Sequence, residues 1–132
     1  MLGLNDLYKV ANKNKIPIDF FKMDETESFS LLYNGECVVV LNPLELKSMS
    51  AEKVLLAHEL GHCVNGAFYN MYSPFDIRSK HERTADKWAI KKLIPEDELK
   101  EACKMCSNRW ELADYFGVTE DFMQKAIDYY KE

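Results

Sequence analysis

The sequence predicts one α+β domain, mostly helical, with a small N-terminal β-hairpin or sheet packed on a long central helix. Three observations predict it: helical spacing of apolar residues over most of the chain, two β-prone segments around Asn34-Gly35, and the segment AHELGHC at residues 57–63. The chain has 132 residues, of which 47% are hydrophobic and 30% are charged, as is typical of a single globular domain. We divide residues 1–132 into a helix plus hairpin (1–49), two central helices with an aromatic loop (50–95), and C-terminal helices (96–132).

The first part combines a helix with two strands. Apolar residues recur at helical spacing over residues 4–15, and Pro17 ends that pattern. Residues 29–41 contain two β-prone runs on either side of Asn34-Gly35, a pair that favours a two-residue hairpin turn. Pro43 then limits the second strand. The sequence therefore predicts an antiparallel hairpin directly before the central helices.

The central part contains two helices joined by a loop. Ser50 is the predicted N-cap of the first helix, which carries a stripe of Leu56, Leu60 and Val64 and ends at Gly66. Residues 67–78 are predicted to form a loop rich in aromatic residues, and a loop of this length is more often functional than idle.

The second central helix is predicted to begin at Ser79 and to run to Pro95. Ser79 and Glu82 form the S-x-x-E pattern of a capping box, in which both side chains bind free backbone N–H groups. Further helices are expected near residues 96–106, 109–116 and 119–131.

The charge of the chain and the length of its apolar runs argue against nucleic-acid binding, membrane insertion and secretion. The net charge of −5 argues against direct binding of nucleic acid, and residues 112–127 resemble a helix-turn-helix whose second helix begins with Glu120 and Asp121 instead of basic residues. No apolar run approaches the roughly 18 residues of a membrane span, and the N-terminus lacks the apolar core of a signal peptide. We therefore expect a cytoplasmic protein, no membrane contact, and four reduced cysteines: Cys37, Cys63, Cys103 and Cys106.

The histidines point to a metal site. His58 and His62 are four residues apart on the predicted helix, so that both imidazoles project from one face, one turn apart. This spacing allows two ring nitrogens to bind one zinc ion at about 2.0–2.1 Å. Glu59 lies beside the first histidine, where it can act as general base on a metal-bound water. Manganese and iron remain alternatives to zinc, because ligand type alone does not determine the metal.

A catalytic zinc ion usually has a third protein ligand, and the next helix offers one. Glu82 and Asp86 are four residues apart, so that Glu82 can bind the metal while Asp86 accepts a hydrogen bond from a ligating histidine. His81 is the rival third ligand, but it points about 100° away from Glu82 on a helix. Glu82 cannot both bind a metal and close a capping box with Ser79, and we favour the metal.

The segments AHELGHC and ERTADKWAIKKLIP, with an aromatic loop between them, resemble the ImmA/IrrE family of metallopeptidase-like proteins, which are associated with phages and mobile elements. The resemblance implies a gluzincin-like zinc peptidase with His58, His62 and Glu82 as metal ligands. It also implies that Glu59 is the base and Asp86 is the partner of a histidine ligand. Family members are understood to act on helix-turn-helix repressors, often only with a partner or trigger.

The expected function is therefore that of a zinc-dependent endopeptidase that cleaves a helix-turn-helix repressor. The alternative is a non-proteolytic anti-repressor, which sequesters the repressor and uses the metal only for stability. By location, Tyr69, Tyr72 and His81 are candidates for contacting the substrate or stabilising the oxyanion. We expect an extended substrate to pair with the strand at Cys37–Leu41, directly before the motif helix.

Overall fold

The computed structural model describes residues 2–66 and 75–131, which form six α-helices and one three-stranded sheet. In chain order, the elements are α1 (Leu4–Lys13), β1 (Ile18–Phe20), β2 (Phe29–Tyr33), β3 (Glu36–Leu41), α2 (Met49–Asn65), α3 (Phe75–Leu93), α4 (Glu96–Cys103), α5 (Arg109–Phe116) and α6 (Glu120–Lys131). The predicted α+β class, mostly helical with a small sheet, is confirmed. None of the helices in these two ranges combines the length and apolarity needed to cross a bilayer.

The hairpin is confirmed as predicted. Strands β2 and β3 are antiparallel, with Tyr33 opposite Glu36 at the turn. The two turn residues, Asn34 and Gly35, have φ angles of 51° and 79°. Asparagine and glycine tolerate positive φ better than other residues, which is why this pair can close a turn of only two residues.

The order of strands in the sheet is β1-β3-β2, which places β3 at the centre. The short strand β1 was not predicted; it pairs parallel with β3, with Ile18 opposite Val39. Strand β2 pairs with residues 36–40 on one side of β3, and β1 pairs with residues 39–41 on the other. The expectation that substrate pairs along the whole of Cys37–Leu41 is therefore wrong. Strand β2 is the outer strand next to the functional cleft described below.

Helix α2 begins slightly earlier than predicted. Ser48, not Ser50, is its N-cap, and the Ser48 hydroxyl accepts a hydrogen bond from the backbone N–H of Ala51 at 3.0 Å. Ser50 therefore lies inside the first turn. The helix ends as expected at Gly66, which adopts a left-handed conformation with φ of 62°.

The core lies between α2, the sheet and the C-terminal helices. Leu56 and Leu60 of α2 are fully buried with Leu41 of β3 and Phe116 of α5. Val64, predicted to share their stripe, is 43% exposed instead, since the last turn of α2 extends beyond the core. One side of α2 is thus fixed to the core, which leaves another face available to carry polar side chains.

Helix α3 already includes Phe75, the first described residue of the second range, so the predicted start at Ser79 is wrong. Residues 75–78, predicted as loop, are helical, while residues 67–74 lie outside the described residues. Ser79 is inside the helix, where backbone N–H groups bond to carbonyl groups four residues earlier. The S-x-x-E pattern of Ser79 and Glu82 therefore does not cap this helix.

Helices α2 and α3 approach each other very closely at Gly61. A Cβ atom placed on Gly61 would lie only 2.7 Å from the backbone oxygen of Ala85. Glycine is the one residue that permits this separation, because it has no side chain to fill the space. The contact brings the face of α3 that carries Glu82 and Asp86 towards the histidines of α2.

The C-terminal helices lie close to their predicted ranges. Side-chain hydrogen bonds join them to α2 and to the residue that follows α3. Lys53 of α2 is only 6% exposed and donates a hydrogen bond of 2.6 Å to the carbonyl oxygen of Phe116, near the end of α5. The Tyr130 hydroxyl of α6 donates a hydrogen bond of 2.7 Å to the carbonyl oxygen of Ile94. These bonds connect the C-terminal helices to the part of the fold that carries the histidine motif.

A disulfide joins the sheet to α2. Cys37 of β3 is bonded to Cys63, and their Cα atoms are 5.6 Å apart although 26 positions separate them in sequence. The expectation that all four cysteines are reduced is therefore wrong for this pair, while Cys103 and Cys106 are free. That expectation rested on cellular compartment, whereas the pairing follows from the packing of α2 against β3, which brings the two side chains together.

Candidate metal centre

Two histidines of α2 define one side of the site. The Nε2 atoms of His58 and His62 are 3.2 Å apart, as expected for side chains one helical turn apart on one face. His62 is only 5% exposed, and the side chain of His58 is 22% exposed. Both rings therefore direct a nitrogen atom to the same point at the edge of the core.

Glu82 of α3 completes the cluster. One carboxylate oxygen lies 2.8 Å from Nε2 of His58, and the other lies 3.1 Å from Nε2 of His62. Glu82 thus faces the histidine pair, as the metal hypothesis requires. Among the described residues, His58, His62 and Glu82 form the group that could hold a metal ion, and the rival ligand His81 does not belong to it.

The spacing of these atoms fits a small divalent metal. Around a tetrahedral zinc ion with ligand bonds of about 2.0–2.1 Å, neighbouring ligand atoms lie about 3.3 Å apart. The separations here are 2.8, 3.1 and 3.2 Å, which small rotations of the side chains would widen sufficiently. Two imidazoles and one carboxylate are also a donor set found in catalytic zinc sites.

Asp86, one turn beyond Glu82, holds the other nitrogen of His58. Its Oδ1 atom lies 2.8 Å from Nδ1 of His58, and its Oδ2 atom lies 3.5 Å from Nζ of Lys125 on α6. A proton on Nδ1 donated to Asp86 leaves the Nε2 lone pair directed at the cluster, which is the tautomer that metal binding needs. Sequence reasoning gave no indication of Lys125.

His58 and Asp86 stabilise each other's charged forms. Burial lowers the pKa of His58, but hydrogen bonds to Asp86 and Glu82 and the charge of Glu59 outweigh burial and raise the pKa to about 10. Burial raises the pKa of Asp86, but the hydrogen bond and charge of His58, with Lys125, lower it overall. The metal-free cluster therefore carries a proton on His58 that a bound cation would replace.

Glu59 lies beside the cluster and is only 7% exposed. Burial is the largest effect on its pKa and raises it, whereas the charges of His58 and His62 and a hydrogen bond with Ser30 of β2 lower it; the net shift is upward. A buried carboxylate with a raised pKa is suited to accept and return a proton. Ser30 was not predicted to belong to the site, because nothing in a β-prone run distinguishes it.

A cleft of about 310 Å³ opens over the cluster. Its lining residues come from the two central helices, from β2, and from the segments before β2 and before α2: Glu27, Ser28, Phe29, Ser30, Glu45, Leu55, His58, Glu59, His62 and Glu82. His81 lies on α3 next to Glu82 but does not line this cleft. Tyr69 and Tyr72, the other two candidate substrate contacts, lie outside the described residues.

A helix with two histidines one turn apart, a glutamate from the following helix and an adjoining small sheet define a domain of the metallopeptidase type. The chain belongs to the family of the IrrE N-terminal-like domain, Peptidase_M78, whose family model matches residues 13–128. This match extends from the end of α1 into α6 and confirms the resemblance drawn from the two motif segments. Comparison with curated proteins finds no match.

Proposed function

We propose that the protein is a zinc-dependent endopeptidase that cleaves a helix-turn-helix repressor of a phage or mobile element. One observation carries the enzymatic part: His58, His62 and Glu82 converge in an open cleft, with the carboxylate of Glu59 buried beside them. A metal that served only stability would need no buried carboxylate beside an accessible cleft, since structural zinc sites are usually closed by four protein ligands.

In this proposal His58, His62 and Glu82 hold the metal, and Asp86 keeps His58 in the required tautomer. The ion, when bound, supplies Lewis-acid polarisation of the scissile carbonyl and lowers the pKa of water towards 7. Zinc is the expected ion because two imidazoles and a carboxylate suit it, and metal analysis of the purified protein distinguishes it from manganese and iron.

Glu59 is the proposed general base. It takes a proton from the attacking water and then delivers that proton to the nitrogen of the leaving amine. The hydrogen bond with Ser30 fixes the carboxylate on the side of the cleft formed by β2. The net upward shift of the Glu59 pKa brings it closer to neutral pH, where a group that both accepts and returns a proton is most effective.

Strand β2 is the proposed docking edge for substrate. It is the outer strand on this side of the sheet, and Phe29 and Ser30 line the cleft. An extended peptide can add to such an edge through backbone hydrogen bonds and so place a peptide bond over the cluster. This role for β2 replaces the earlier expectation for Cys37–Leu41.

The proposed substrate class is supported by the family resemblance. The ImmA/IrrE resemblance supports a helix-turn-helix repressor as the protein partner, and the net charge of −5 supports contact with the repressor instead of with DNA. A repressor substrate also places the reaction in the cytoplasm, with no membrane partner.

The proposal is tested by expressing the protein together with the repressor encoded beside its gene. We expect wild-type protein to produce repressor fragments detectable by mass spectrometry, and Glu59→Gln to retain zinc but to produce none. Glu36→Gln, an exposed change outside the cleft, is the matched control and should cleave normally. Loss of repressor activity without fragments, equal in wild type and Glu59→Gln, would instead establish the non-proteolytic anti-repressor.

A further inference from the structure

A second groove adjoins the cleft. Glu45 and Leu55 line both the cleft and a neighbouring groove of about 380 Å³. Leu44 and Val54 contribute apolar walls to that groove, and Lys47 also lines it. The two cavities therefore lie side by side at Glu45 and Leu55, where neighbouring side chains of one peptide can reach both.

Two carboxylates of the cleft have no role in the proposed chemistry. Glu27 and Glu45 line its wall, in addition to the proposed ligand Glu82 and the proposed base Glu59. Among the residues that the structure describes, no lysine or arginine lines the cleft. This part of the site therefore favours a positively charged side chain over a neutral or acidic one.

Glu45 is held in place by the surrounding backbone. Its Oε1 atom accepts a hydrogen bond of 2.5 Å from the N–H of Ser28, directly after Glu27. The turn at Pro43–Glu45 follows Asn42, which is 2% exposed and donates 2.6 Å hydrogen bonds to the carbonyl oxygens of Met23 and Thr26. One N–H donor uses only part of the capacity of a carboxylate, which can accept about four hydrogen bonds. The Glu45 carboxylate is thus held in a fixed position and can still accept hydrogen bonds from a ligand.

We propose that the cleft selects peptides that place a lysine or arginine side chain against Glu45 and Glu27 beside the scissile bond, with an apolar side chain next to it in the groove. This inference rests on the proposed peptidase function and names the substrate sequence that the same site takes. The aliphatic stem of a basic residue can lie on Leu55 while its charged end reaches the carboxylates. Leu44 and Val54 supply apolar surface in the groove, which suits the apolar side chain.

Binding tests the inference independently of cleavage. The probe is a fluorescent peptide with a central Arg-Leu pair, compared with the same peptide carrying Gln-Leu, on zinc-loaded Glu59→Gln protein. We expect the Arg-Leu peptide to bind about tenfold more tightly, the scale of one charge-assisted hydrogen bond. In the Glu59→Gln background, a second change of Glu45→Gln keeps an acceptor for the Ser28 N–H and should remove this difference in affinity. A second change of Glu36→Gln should preserve the difference. Equal binding of the two peptides, or no binding of either, overturns the inference.

Cleavage by the wild-type protein separates this inference from the proposed function. A library of peptides produced by a glutamate-specific protease, and therefore retaining internal lysine and arginine, is incubated with the zinc-loaded enzyme. We expect cleavage next to basic residues that have an apolar neighbour. Selective binding of the Arg-Leu peptide without cleavage of the library or the repressor would refute the peptidase function and leave the recognition in place. Cleavage with no basic preference would refute the recognition alone.

Discussion

Asp86 of α3 holds Nδ1 of His58 at 2.8 Å, on the side of the imidazole opposite the metal-binding cluster. The same carboxylate contacts Lys125 of α6 at 3.5 Å. The orientation of a proposed metal ligand on α2 thus depends on a residue of α3 and, more weakly, on one of the C-terminal helix. Carboxylates in this position commonly fix both the tautomer and the ring orientation of a ligating histidine.

Replacing Asp86 with alanine should weaken metal binding by about 10–100-fold, because His58 loses the acceptor that fixes its tautomer. Competition against a chromophoric chelator measures the affinity. Asp128→Asn removes an exposed negative charge on α6 that lines the same surface groove as Asp86; it is the control and should leave the affinity almost unchanged. An affinity for Asp86→Ala equal to that of wild type would contradict the positioning role.

Gly61→Ala should disturb the packing of α2 against α3. The new methyl group would meet the backbone oxygen of Ala85 at 2.7 Å, and overpacking of this kind costs about 1–3 kcal/mol. Because Glu82 lies on the displaced helix, metal affinity should fall as well. Urea denaturation and chelator competition report the two effects. Gly3→Ala, whose Cβ would make an ordinary contact at 3.5 Å, should leave metal affinity unchanged and cost only the modest penalty of alanine at the N-cap of α1.

The Cys37–Cys63 bond should contribute substantially to stability. Closing a loop between positions 26 residues apart is worth about 3–4 kcal/mol in the chain-entropy treatment. Cys37→Ser should lower the urea midpoint accordingly, and a thiol reductant should lower that of the wild type to a similar value. Cys103→Ser, at an exposed free thiol, should have little effect. A wild-type midpoint unchanged by reductant, with the bond shown by mass spectrometry to be reduced, would contradict this expectation.

The stability of the metal-free protein should depend on pH through His58 and Asp86. The pKa of His58 rises from an ordinary value of 6.5 to about 10, so that between these values the folded state holds a proton that the unfolded state has lost. Stability from this group is therefore complete below about pH 6.5 and declines towards pH 10. Asp86, whose pKa is lowered, gives the opposite trend in acid: its contribution is present above about pH 4 and is lost as pH falls further.

Urea midpoints of metal-free protein from pH 3 to 10 measure both trends. In Asp86→Asn the alkaline decline should be shallower, because His58 loses its charged partner. Metal affinity should change in the opposite direction, rising between pH 6.5 and 10 as the proton on His58 becomes easier to displace. A midpoint constant from pH 6 to 10 would show that the His58–Asp86 pair does not contribute.

Features that depend only on residues close together in the sequence could be predicted from it. The turn at Asn34-Gly35 was predictable because few residue pairs accept positive φ twice in succession. The shared face of His58 and His62 follows from 3.6 residues per turn, whatever surrounds the helix. The parallel pairing of β1 was not predictable, since three residues carry almost no periodic signal and their partner strand lies about twenty positions away.

The sequence alone therefore determined the fold class, the family and the spacing of the motif on α2. The tertiary structure decided what Glu82 does. A local pattern with Ser79 suggested a cap, but residues 75–78 are already helical, and packing at Gly61 directs Glu82 to the histidines. The tertiary structure likewise paired Cys37 with Cys63 and placed β3 at the centre of the sheet. The physical reason is common to these cases: hydrogen bonds within a turn or helix are encoded over a few residues, whereas contacts between elements depend on how whole surfaces pack.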